Sequence, residues 1–194
     1  MKHCIQTLPE GYREIQHVTM QDDKKTALVI NGIGFAATLL MLGVGQFFVP
    51  VKRFFSMDDG MAAYWLRLLV MLGGTAAYLV LHELTHAAAM KHYGAGKLRF
   101  GFTGMYAYAG SEGDYFDKTA YRVIALAPLV VWTVLLTVPL VFVPQSWFWN
   151  VYFIQIANIA GAAGDVYVTV RFSRLKDTIW VKDTGIEMIV YDKA

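Results

Sequence analysis

A chain of 194 residues would ordinarily form one domain, but only 16% of its residues are charged while 56% are hydrophobic. A soluble surface takes about a quarter charged residues, so much of this surface is expected to face lipid. The net charge of +2 and the absence of a basic, aromatic-interleaved run exclude a nucleic-acid groove, and the lone cysteine, Cys4, excludes an internal disulfide or a zinc cluster built on several thiolates.

In chain order, residues 1–25 are polar and mixed in charge, with no apolar stretch near the start that would suggest a cleaved leader. Apolar character begins after Lys24 and Lys25 and predicts a first span over 26–49, stopped by Pro50. Further spans are predicted over 62–90, 120–143 and 149–170. Each reaches the roughly 20 apolar residues that a bilayer crossing requires. Between the second and third, 98–102 and 105–109 alternate as a short hairpin about Thr103 and Gly104. After the fourth, 178–181 and 186–191 flank Lys182, Asp183, Thr184 and Gly185 as a second hairpin. The fold class is therefore mainly α: a polytopic membrane protein of about four transmembrane helices with short cytoplasmic β-hairpins.

Positive charge sets the expected orientation. Lys2, Arg13, Lys24 and Lys25 precede the first span, Lys91, Lys97, Arg99, Lys118 and Arg122 lie about the middle loop, and Arg171, Arg174, Lys176, Lys182 and Lys193 follow the fourth. The other side carries only Lys52 and Arg53. Both termini and the middle loop are thus expected to be cytoplasmic, with Tyr64, Trp65, Trp147 and Trp149 at the outer interface. Arg67, just inside that boundary, is expected to snorkel outward.

The chemistry concentrates in His82-Glu83-Leu84-Thr85-His86, at the inner end of the second span. Histidines at i and i+4 project from one helix face, one turn apart, and suit two nitrogen ligands of a zinc ion. Glu83 points about 100° around the helix, so it can act as base without becoming a ligand. Ionisable groups at the end of an apolar span are costly and usually functional. A third ligand is needed. His92 keeps the metzincin spacing, but Ala89 stands where that motif needs glycine, and Glu112 and Asp114 lie in a loop that nothing positions. Asp165 is the strongest candidate. It lies about 24 Å inward from Trp149 along a helix, and His82 about 27 Å inward from Tyr64, so the two share a depth. Small residues, among them Ala157, Ala160, Gly161 and Gly164, would let the helices approach closely. Pro128, inside the third span, frees a backbone carbonyl.

Taken with the loop around Tyr106-Ala107-Tyr108, the run Ala125-Leu126-Ala127-Pro128, the stretch from Asn158 to Asp165 and the tail 179–185, these residues resemble the putative zincin peptidase family of bacterial membrane proteins, relatives of the site-2 protease class of intramembrane metalloproteases. The likeness covers 62 to the C-terminus. It implies zinc held by His82, His86 and Asp165, with Glu83 as catalytic base and Asn158 and Tyr108 as substrate or oxyanion contacts. With the apolar runs and flanking charges, three regions are expected: a cytoplasmic segment 1–25, a transmembrane metalloprotease-like domain 26–170, and a cytoplasmic tail 171–194.

The expected activity is zinc-dependent hydrolysis of peptide bonds in membrane or membrane-proximal substrates, near the cytoplasmic face of a bacterial cytoplasmic membrane. The expected partners are the bilayer and a peptide or membrane-protein substrate, without nucleic acid and with room for a homo-oligomer. A non-catalytic zinc-binding scaffold is the rival reading, and Glu83 is the feature against it, since a structural site needs no base. A small transporter is a weaker rival, because its pathway needs polar groups at the midplane, where Asn158 stands nearly alone.

Overall fold

The computed structural model describes residues 3–19, 23–104 and 106–193; Met105, in the first predicted hairpin, lies outside the described residues. In chain order the elements are β1 (Cys4–Ile5), β2 (Tyr12–Thr19), α1 (Lys24–Phe48), a single 3₁₀ turn (Val51–Arg53), α2 (Met61–His92), β3 (Lys97–Phe102), β4 (Ala107–Glu112), β5 (Tyr115–Asp117), α3 (Lys118–Phe142), α4 (Gln145–Gly161), α5 (Ala163–Ser173), β6 (Trp180–Asp183) and β7 (Glu187–Lys193). Four helical segments, with α4 and α5 taken as one, are long and apolar enough to cross a membrane.

Local chemistry fixes the helix ends. The Asp23 carboxylate accepts from the Lys25 amide at 3.0 Å and the Thr26 hydroxyl at 2.6 Å, capping α1. Asp117 does the same for α3, accepting from the Ala120 amide at 2.8 Å. Helix α2 stops at Gly94, whose φ of 98° lets its amide reach Lys91 while the Ala95 amide reaches Met90. That pair of bonds, with glycine left-handed, satisfies the last carbonyls of the helix.

The fourth predicted span is not one helix. It breaks at Ala162, where ψ is 5° and the amide turns to the carbonyls of Asn158 and Ala160. Glycine at 161 weakens the helix there, and the break places Asp165 in the first turn of α5, where the positive end of a helix favours a carboxylate.

The chain divides into two compact units. One comprises residues 31–81 and 129–163. Its core gathers Val49, Phe54, Phe148, Trp149, Tyr152 and Ile156. Trp149, expected among interfacial rings, is 1% exposed and donates its indole N–H to the Val49 carbonyl at 3.0 Å. Arg67 also departs from expectation. It is 1% exposed, pairs with Asp59 at 2.8 Å and donates to the Ser56 carbonyl. A guanidinium with partners in the loop before its own helix is held there and does not reach open solvent.

The other unit comprises residues 1–30, 82–128 and 164–194. It contains a five-stranded antiparallel sheet in the order β1-β5-β6-β7-β2 and the separate β3–β4 ribbon. Both predicted hairpins form, and the second is the centre of this larger sheet. The polar segment 1–25 supplies β1 and β2. Its strands escape sequence reading because Ile15 is the extra residue of a bulge between Glu14 and Gln16, and it points outward at 43% exposure, spoiling the alternation.

Two glycines of α1 report which side of that helix packs. Gly43 has open space around it, whereas a Cβ on Gly45 would meet Tyr152 and, at 2.9 Å, Trp149. Gly43→Ala should stabilise the protein by up to about 1 kcal/mol, and Gly45→Ala should destabilise it by about 1–3 kcal/mol. Thermal unfolding in detergent checks the contrast, and equal effects of the two substitutions would rule it out.

Candidate metal centre

Helix α2 carries His82 and His86 on one face, and the first turn of α5 brings Asp165 opposite. The two imidazole rings lie 4.9 Å apart. His82 Nε2 stands 3.5 Å from one Asp165 oxygen, and His86 Nε2 3.6 Å from the other. One ligand atom from each of the three residues falls within 4.8 Å of the others. All three side chains are at most 19% exposed. His86 is fixed from behind, since its Nδ1 donates to the Ile124 carbonyl of α3 at 2.9 Å.

Glu83 points elsewhere. Its carboxylate lies close enough to the backbone N–H of Ala109 in β4 to be stabilised by it. The turn at the tip of the ribbon is closed by the Thr103 amide on the Tyr106 carbonyl, with Gly101 opposite Tyr108 and Phe100 opposite Ala109. Alternation along an antiparallel pair then leaves the N–H and C=O of Ala107, Ala109 and Ser111 on the edge away from β3. Glu83 lies on the side of that edge.

Residues 75–180 match the model of the putative zincin peptidase family, more than half of the 194 residues. The chain belongs to that family. No curated protein and no solved structure matches it. His82, Glu83, His86 and Asp165 all fall inside the matched stretch.

The zincin family implies zinc, and the side chains of this member can be tested for fit. Separations of 3.5 and 3.6 Å are too long for good hydrogen bonds. They are close to the edge of a tetrahedron: two ligands each about 2.0–2.1 Å from zinc stand about 3.4 Å apart. Two imidazoles and one carboxylate, with a fourth position open, form a donor set that catalytic zinc uses. The residues fit the ion.

The other sequence candidates lie apart from this group. His92 is exposed and stacks edge-on with Tyr93. Glu112 pairs with Lys97 at 2.9 Å and Arg99 at 3.3 Å, and Asp114 is buried, accepting from the Gly96 amide at 3.0 Å. Cys4 is half-buried, and burial with the nearby Asp114 charge pushes its thiol up to about 11, so it stays protonated and a poor ligand. Tyr108 fills the space above Gly101 and lies against Gly185, where a Cβ would meet its ring at 2.5 Å. Asn158 belongs to the other compact unit. There it is fully buried, accepts from the Tyr78 hydroxyl at 3.0 Å and donates to Thr133 Oγ1 at 2.9 Å.

Sequence reading missed two neighbours of the centre and left a third without a partner. The Ala109 amide is a backbone group with no side-chain signature, whereas the carbonyl that Pro128 was expected to free is that of Ile124, which meets His86. Asp183, read as a turn residue, does close its turn by accepting from the Gly185 amide at 2.8 Å. It also accepts from the Tyr121 hydroxyl and lies close enough to feel His86 and Asp165. Burial pushes its carboxyl up to about 6.

An acid whose pKa is raised by folding stabilises the fold most while it is protonated. In the metal-free protein the Asp183 contribution should therefore be greatest below about pH 4 and lost as pH rises through about 6. The unfolding midpoint of Asp183→Asn, taken relative to the parent chain, should rise between those values. A difference independent of pH would show that Asp183 ionises normally.

Removing ligands gives a second check. Purified protein should carry about one zinc per chain, and His82→Ala, His86→Ala and Asp165→Ala should each abolish stoichiometric binding. Full affinity in Asp165→Ala would move the third ligand elsewhere.

Proposed function

We propose that this chain is a membrane-embedded zinc metalloendopeptidase, akin to the site-2 protease class, that cleaves membrane or membrane-proximal peptides near the cytoplasmic face of a bacterial membrane. The observation that carries the reading is the division of labour on α2. His82 and His86 converge with Asp165, while Glu83, one residue on, stays out of that group and lies near the Ala109 amide. A structural zinc site would close its fourth position with a ligand and would need no carboxylate kept in reserve.

His82, His86 and Asp165 hold the ion in this reading. When bound, zinc supplies Lewis-acid polarisation of the scissile carbonyl and acidifies the attacking water. Glu83 takes the proton from that water and returns it to the leaving amine nitrogen. The nearby Ala109 N–H favours the ionised carboxylate, the form that can receive the proton. The outward edge of β4 offers the main-chain groups of Ala107 to an extended substrate, which would add beside the base. A helical substrate must unwind locally to pair in this way. For Asn158 to take part, it would have to give up its bond to Tyr78 or Thr133.

The cytoplasmic placement of both termini rests on the charge asymmetry of the loops. The bilayer and a peptide substrate are the partners proposed; association of copies of the chain is compatible with the large lipid-facing apolar surface.

Glu83→Gln should keep zinc and lose cleavage by about 10²–10⁴-fold, the usual contribution of a general base. Undiminished proteolysis or biological function in that variant would favour the non-catalytic scaffold. Ala107→Pro removes an edge N–H without removing a rung of the β3–β4 ladder. It should abolish cleavage and leave zinc bound; unchanged turnover would remove strand addition from the mechanism.

A further inference from the structure

We propose that Pro128 is a positioning residue for the metal ligand His86, acting through the carbonyl that it leaves without a donor. The inference deepens the metal reading above and rests on it for its functional meaning, though not for its geometry. In an α-helix the carbonyl of residue i accepts from the amide of residue i+4. For Ile124 that amide would belong to residue 128, and proline has none. Helix α3 nevertheless runs without interruption from Lys118 to Phe142, so the Ile124 carbonyl keeps its place in the helix and lacks its helical partner. The proline ring also crowds the carbonyl four residues earlier and tilts it off the helix axis.

Ile124 is 0% exposed and Pro128 is buried, so water does not reach this carbonyl easily. His86 Nδ1 meets it at 2.9 Å. A carbonyl can only accept, so Nδ1 must carry the proton. A neutral imidazole protonated at Nδ1 has its lone pair on Nε2, and Nε2 is the atom that stands 3.6 Å from Asp165. The missing amide of Pro128 thus selects the tautomer and ring orientation in which His86 presents a ligand nitrogen to the centre. Partners of this kind behind a metal-bound histidine set its tautomer and contribute to metal affinity. With an amide restored at position 128, the Ile124 carbonyl would be shared with the helix and its hold on His86 would weaken.

The test has a metal-free arm and a metal arm. In ¹⁵N-histidine-labelled protein without metal, nitrogen chemical shifts, assigned with His86→Ala, should show His86 protonated at Nδ1. A wild-type His86 protonated at Nε2 and not at Nδ1, at a pH where its ring is neutral, overturns the proposal without any Pro128 variant, so failure of Pro128→Ala to fold would not protect it. In Pro128→Ala the Nδ1-protonated form should give way to a mixture of tautomers. Zinc affinity, measured by competition with a chromophoric chelator, should fall by about tenfold, the low end for loss of such a partner. Pro139→Ala, the same substitution further along α3, should stay within twofold of the parent chain. Pro128→Ala with unchanged affinity and an unchanged tautomer would overturn the inference. If the parent chain takes up no zinc, the metal reading fails, and the metal-free arm still decides whether Pro128 orients His86.

Discussion

Two imidazoles and a carboxylate at the ends of apolar helices are costly to leave unpaired, so they must be met by one another, by an ion or by polar groups of the packed protein behind them. The arrangement of the surrounding unit follows from meeting that demand. His82 and His86 are delivered together by one turn of α2, but Asp165 has a short side chain and must arrive from a separate element. The interruption at Ala162 accomplishes this by starting α5 afresh, so that the carboxylate sits in the first turn, where the helix favours negative charge. A continuous helix through 162 would have placed Asp165 in a helix interior, without that favourable end.

The same economy governs the groups behind the ligands. Backbone groups that a helix or strand leaves unpaired near the centre meet side chains of the motif. The Ile124 carbonyl takes the back of His86, and the outward amide of Ala109 lies near Glu83. An unmet buried donor or acceptor costs about 1–3 kcal/mol, so these contacts stabilise the unit as well as aiming the side chains. Backbone groups serve well in this role because they are held by the ladder or helix they belong to, with no rotamer to lose.

Sequence reading recovered the parts that hydrocarbon constrains. Apolar runs over 26–49, 62–90 and 120–143 gave α1, α2 and α3 to within a few residues, since a spanning segment must satisfy its own backbone. The approach of Asp165 to His82, 3.5 Å apart, was expected from depth, since rise per residue converts sequence separation into position, together with the cost of a lone carboxylate in a span and the small residues around it. Strand β2 was not legible, because its one aliphatic residue before Val18 is the bulged Ile15. The helix break was not legible either: glycines 161 and 164 read equally well as close-packing residues. Asp183 was hidden by its own chemistry, since Asp-Thr-Gly reads as a turn and its second contact, with Tyr121, depends on tertiary structure.

Glu83 ties the active centre to the rest of its unit. The carboxylate is only as well placed as β4, and β4 is placed by glycine. At Gly110 a Cβ would run into the backbone of Thr184 and Gly185, and at Gly185 a Cβ would lie 2.9 Å from the Ala109 carbonyl oxygen. The turn between β6 and β7 can press this closely on the strand only because both positions lack a side chain. Ser111 adds a long hydrogen bond to the Asp183 carbonyl at 3.5 Å. That turn belongs to a sheet whose edge strands, β1 and β2, come from the first twenty residues and whose centre comes from the last fifteen. Residues near both ends of the sequence, far from the His82–His86 pair, therefore fix the strand that lies beside Glu83.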